Sequence, residues 1–155
     1  QNVTVVSGTG VYLTRNPYGT PPALFLNFKH NKIIHERVII LSVQFEQVPH
    51  VDLVKTHKIS VLDNHITLVI LHYGYMDTTD IPEALFLLQQ HGLKIDFENT
   101  TYFLGRESLE VTKYTGMTPL RENLFDFLGR NSARLSNYFN LPSEKVFEIG
   151  ARIKL

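Results

Sequence analysis

The chain has 155 residues, no cysteine, and 15 Lys plus Arg balanced by 15 Asp plus Glu. That length suits one domain able to bury well over half of its unfolded surface. The balance leaves no overall field to gather nucleic acid or an anionic membrane surface, and the missing thiols exclude disulfides and thiolate metal sites.

Val3 to Val6 and Val11 to Thr14 read as two β-rich runs separated by Gly8 and Gly10, followed by the turn-rich loop Arg15-Asn16-Pro17-Tyr18-Gly19-Thr20. Thr20 can cap a first helix, Pro21 or Pro22 suits its first turn, and Leu24, Phe25 and Phe28 share one face. Lys29, His30 and Lys32 place positive charge at its carboxyl end, and Asn31 tolerates the left-handed residue that closes it. Val38 to Leu41 has no polar residue, which predicts a strand covered on both faces and ending near Phe45. Residues 46–55 are polar around Pro49 and read as a surface connection.

Lys58 to Leu62 and Ile66 to Tyr73 flank Asp63-Asn64, predicting an antiparallel hairpin with a tight turn at positive φ. Asp80-Ile81-Pro82-Glu83 is a capping box opening a second helix. Its stripe is Ile81, Ala84, Leu85 and Leu88, with Phe86 and Leu87 widening the arc toward heavy burial and Gly92 as the stop. Thr100 to Leu104 reads as a strand, as does Leu109 to Tyr114, and Thr118-Pro119 opens the third and longest helix. From Phe147 to Leu155 apolar and charged residues alternate, as in a half-buried strand at a sheet edge. The expected fold class is α/β: a single domain with a mixed β-sheet of about six or seven strands and three helices.

The seven histidines include no i, i+4 pair with glutamate, so no helical zinc site is expected. His35 is expected to hydrogen-bond near a strand start, and His30 to complement a helix end. There is no Gly-x-Ser-x-Gly elbow and no cysteine nucleophile, so the chain reads as a non-enzyme without a cofactor. An open α/β sheet binds ligands beyond the carboxyl ends of its strands. The candidate crevice residues there are Arg15, Tyr18, Asp77, Asp80 and Arg106, although neither phosphate-loop motif occurs and the two aspartates repel phosphate.

The run Gly8-Thr9-Gly10-Val11-Tyr12-Leu13-Thr14, then Pro21-Pro22-Ala23, Lys29-His30-Asn31-Lys32 and His35-Glu36-Arg37-Val38, is similar to the segment that opens the C-terminal domain of the Kup-type potassium transporters. Tyr73 to Pro82 is similar to the family's Tyr-Gly-Phe-Met-Glu-x-Pro-Asp-Val-Pro block, with Asp77 for glutamate and Thr79 for proline. Thr101 to Glu107, then Glu122 to Phe125 with Arg130 to Ala133 and Tyr138-Phe139, and Val146 to Gly150 resemble its later blocks.

The resemblance implies proton-coupled potassium uptake by a full protein whose ion path lies in a membrane portion. No apolar run here approaches the roughly 20 residues that span a bilayer, and there is neither a starting methionine nor a signal-peptide pattern. The chain, residues 1–155, is therefore expected to be one soluble domain cut from that longer transporter and placed on the cytoplasmic side of the inner membrane. Its expected roles are regulation or assembly, through a homodimer or through Lys29, His30 and Lys32 facing the membrane portion. The alternative is a sensor of cyclic di-AMP or an adenine nucleotide; nucleic acid is not an expected partner.

Overall fold

The computed structural model describes residues 2–105 and 136–149. Arg106, the strand expected at 109–114, most of the third helix and the last six residues lie outside the described residues. The first strand, β1 (Thr4–Thr14), is continuous where two runs were expected. Its pairing with β2 (Ile33–Glu46) shifts register between Val6 and Thr9. The glycines make a bulge there instead of a break: Gly8 adopts φ +99°, and its N–H donates to Glu36 Oε1 at 3.2 Å.

α1 (Pro22–Leu26) follows β1 and continues into one π-helical turn over Asn27–Asn31. Two details depart from expectation. Pro21 occupies the cap position without a side-chain bond, leaving Thr20 no capping role, and Lys32, not Asn31, takes the left-handed conformation at φ 54°. Asn31 is held otherwise, its Nδ2 donating to Asn27 Oδ1 at 2.9 Å, while Asn27 Nδ2 donates to the Tyr12 hydroxyl at 2.9 Å. That chain of bonds turns Ala23, Leu24 and Asn27 toward the sheet and leaves Phe25 and Phe28 exposed.

After β2, α2 (Leu53–Thr56) is capped by Asp52, whose carboxylate accepts from Val54 N and Lys55 N. β3 (Lys58–Val61) and β4 (Ile66–Gly74) form the expected antiparallel pair. Their turn is not the tight one, since Asp63 and Asn64 are not at positive φ. Leu62 N and Asp63 N both donate to Ile66 O, making a wider loop. α3 (Ile81–Gln89) opens on Asp80, whose Oδ1 accepts from Glu83 N at 3.0 Å. It closes at Gly92, φ +103°, where Leu93 N reaches back to Leu88 O. Among the described residues β5 (Thr100–Gly105) and β6 (Val146–Ile149) bring the sheet to six strands in the order β3-β4-β2-β1-β5-β6, parallel except for β3. The mixed α/β sheet agrees with the expected fold class.

Among the described residues the two faces are covered unequally. On one, Ile81, Leu85 and Leu88 of α3 have no exposed surface and pack with Leu71, Leu104, Phe139 and Leu141 over β1, β2 and β4. Each such side chain is worth about 1.5–3 kcal/mol. Phe86 and Leu87, expected to be buried, remain exposed, because α3 is an outer layer with only its sheet-facing stripe covered. On the other face, Ala23 and Leu24 of α1 meet Tyr12, Ile40, Leu68 and Phe103. Tyr12 and Phe103 stack there at 4.4 Å. At the β6 edge Phe147 lies beside Phe103, ring centroids 5.9 Å apart, yet stays largely exposed.

Candidate functional site

Chain connections leave β1 toward β2 and leave β5 toward β6, so their neighbouring carboxyl ends mark the point where the winding reverses, the place an open sheet offers a ligand. Arg15 follows β1 directly, and its carbonyl accepts from Ser42 Oγ and Gln44 Nε2, each at 3.4 Å. Tyr18 is exposed on the α1 face, its N–H donating to Asn16 Oδ1 and its ring under Lys58 Nζ at 5.9 Å.

Asp77 and Asp80 belong to the α3 side. Asp77 joins two loops: Oδ2 accepts from Gly74 N at 2.7 Å and Val51 N at 2.9 Å, and Oδ1 pairs with His50 Nδ1 at 2.7 Å. Partial desolvation pushes this carboxyl up, but the bonds from Gly74, His50 and Val51 outweigh it and hold it below the ordinary value. Asp80 caps α3 with one oxygen and accepts from Asn140 Nδ2 at 2.7 Å with the other. The first free N–H of α3 is also taken, Ile81 N donating to Phe139 O at 3.0 Å. The helix end that a phosphate would need is therefore occupied by the chain itself.

Asp77 and Asp80 line a cavity of about 210 Å³ with Glu83 and Tyr73, whose buried hydroxyl has no partner. Burial, then the negative charge of Asp80, Glu83 and Asp77, raises the Tyr73 pKa. The hydroxyl stays protonated. Tyr18 lines a different cavity, so it and the two aspartates do not share one site.

That second cavity is a groove of about 640 Å³ on the α1 face, walled by Tyr18, Leu24, Phe25 and Phe28 above and by Ile40 and Leu68 of the sheet below. Sequence reasoning missed it because its walls come from the β1–α1 loop, α1, β2 and the hairpin. The available signal was an apolar excess on a helix of only five residues. Lys29, His30 and Lys32 are exposed, and Lys29 Nζ lies 5.6 Å from the centre of the Phe25 ring that lines the groove.

A third cavity, polar and about 400 Å³, opens at the amino ends of β5 and β6. His35 lines it without the hydrogen bond expected of it: Nδ1 is sealed against Gly10 with no partner, and burial lowers the ring's pKa. The other histidines are dispersed. His72 pairs with Glu46 at 2.7 Å, and His57 and His65 bond to the carbonyls of Leu53 and Glu36. Among the described residues no group of three or more His, Cys, Asp or Glu could hold a metal, and no helix is long and apolar enough to cross a membrane.

Among the described residues an open, largely parallel sheet with its winding reversed at β1 and β5, and with the N-terminus of α3 plugged from within, defines a mixed α/β domain. The family described as K+ potassium transporter C-terminal domain matches residues 7–155, and the chain belongs to it. Similar curated proteins include a "Probable potassium transport system protein Kup" of Myxococcus xanthus, 39% identical over 150 residues, which are 97% of this chain and 23% of the relative. Proteins of the same name from Erythrobacter litoralis and Azoarcus sp. are 38% and 41% identical, over 99% and 97% of this chain and 25% and 24% of theirs. The chain thus spans about a quarter of the length of these relatives. No solved structure matches it.

Proposed function

We propose that this chain is the non-enzymatic C-terminal domain of a proton-coupled potassium uptake transporter, lying on the cytoplasmic side of the inner membrane and serving its assembly or regulation. The observation that carries this reading is the match of residues 7–155 to a potassium transporter C-terminal domain, in relatives about four times as long. Ion conduction belongs to the remaining length. The domain acts by contact, and the exposed Lys29, His30 and Lys32, at the end of a helix on the thinly covered face, are its contact toward the membrane portion.

The test is Lys29→Glu with Lys32→Glu in the complete transporter, read as potassium-limited growth of a strain lacking other uptake systems. Growth falls while the amount of transporter in the membrane holds. Unchanged growth at every potassium concentration refutes the contact.

A further inference from the structure

The first thirty-five residues contain Arg15, Lys29 and Lys32 but no Asp or Glu, the first carboxylate being Glu36. The balanced total charge therefore conceals a cationic segment, and its helical part folds over the face of the sheet that is less covered among the described residues. Three aromatic side chains stand out from that face: Tyr18, Phe25 and Phe28 are 78%, 53% and 41% exposed. All three border the apolar groove, as does Leu62 of the hairpin loop. Lysines flank the rings. Lys29 Nζ lies over Phe25 and Lys58 Nζ over Tyr18, with Lys32 exposed just beyond. Asp63 is the carboxylate among the groove's lining residues.

Exposed rings interleaved with lysines beside an apolar trough match the chemistry of a bilayer's headgroup layer. Rings sit at the boundary with the acyl chains while ammonium groups meet lipid phosphates. A protein–protein interface is instead depleted in lysine at its core. We infer that the α1 face rests on an anionic lipid surface. Tyr18, Phe25 and Phe28 enter the headgroup layer, and Lys29, Lys32 and Lys58 lie against phosphates. This adds a lipid surface beside the protein contact proposed above, and it rests on that reading for the domain's place beside a membrane.

The experiment is co-sedimentation of the chain with vesicles of phosphatidylcholine alone and of phosphatidylcholine mixed with phosphatidylglycerol, with molecular mass measured in parallel. Binding is expected only to the anionic vesicles. Each lysine near such a surface contributes roughly a fivefold change in partition, so Lys29→Gln with Lys32→Gln weakens binding roughly 25-fold. Salt raised from ~0.1 M to ~1 M removes most of it, as the screening length falls from about 10 Å to about 3 Å. Phe25→Ser with Phe28→Ser, at positions already exposed, lowers binding while the melting temperature holds.

Absence of binding to either vesicle overturns the inference, as does binding that neither pair of substitutions alters. A dimer dissolved by Phe25→Ser with Phe28→Ser, without vesicle binding, also overturns it and assigns the groove to a second copy. If vesicles are not bound but the growth test above still succeeds, the lipid inference falls while the contact with the membrane portion stands.

Discussion

Replacing Asp77 separates a structural carboxylate from a ligand-facing one. Its side chain is 17% exposed, whereas its partner His50 is 69% exposed. The two backbone bonds, from Gly74 N and Val51 N, are the sheltered ones. A hydrogen bond to a charged group is worth about 1.5–3 kcal/mol. Discounting for partial exposure, Asp77→Ala costs about 2–4 kcal/mol, a Tm drop of roughly 4–16 °C in a domain of this size. The pair with exposed His50 adds at most about 1 kcal/mol, so His50→Ala stays within that.

The pH dependence has a definite sign. The folded Asp77 carboxyl lies below its ordinary value of 3.8, so its stabilisation is present above that value and is lost as pH falls through the folded one. Urea unfolding of wild type and Asp77→Asn across a pH series should show a gap that is constant near neutrality and closes on acidification below pH 3.8. Asp77→Ala within about 0.5 kcal/mol of wild type, or a gap indifferent to pH, would refute the structural assignment.

Two further expectations concern the same fold. A Cβ on Gly74 would lie 2.3 Å from Pro49 O and 2.6 Å from His50 N, both backbone atoms. Gly74→Ala therefore costs at least about 1–3 kcal/mol in urea unfolding, and a change of a few tenths would show that the 47–52 loop is not held there. Burial keeps the pKa of His35 below its ordinary 6.5, so stability that is complete above that value is lost as pH falls through the folded one. His35→Phe removes that part of the slope in thermal melts. An equal slope in both proteins rules out His35 as its source.

Elements built from local signals were legible in the sequence. The apolar run of β2, the Asp80 cap of α3, its Gly92 stop and the β3–β4 pair each need only a few neighbouring residues to specify them. The six-stranded mixed α/β sheet followed, because strands alternating with helices have few ways to assemble. The resemblance carried by blocks such as Tyr73 to Pro82 points to the family without any tertiary contact.

What the tertiary structure decided is which way side chains face and which segments meet. Periodicity placed Leu24, Phe25 and Phe28 on one arc, but the bond between Asn27 and Tyr12 across the α1–β1 contact rotates the helix, burying Ala23 and leaving both phenylalanines in water. Asp77 and Asp80 looked like residues of an open crevice. Beyond their local bonds to Gly74 N and Glu83 N, the approach of the 47–52 loop brought His50 and Val51 N to Asp77, and that of residues 138–141 brought Asn140 to the second oxygen of Asp80. The groove on the α1 face has the same origin, since four segments distant in sequence must pack before their apolar atoms share one wall. Local sequence selects elements through short-range bonds and periodicity, whereas orientation and sites depend on long-range contacts that exist only once the sheet has formed.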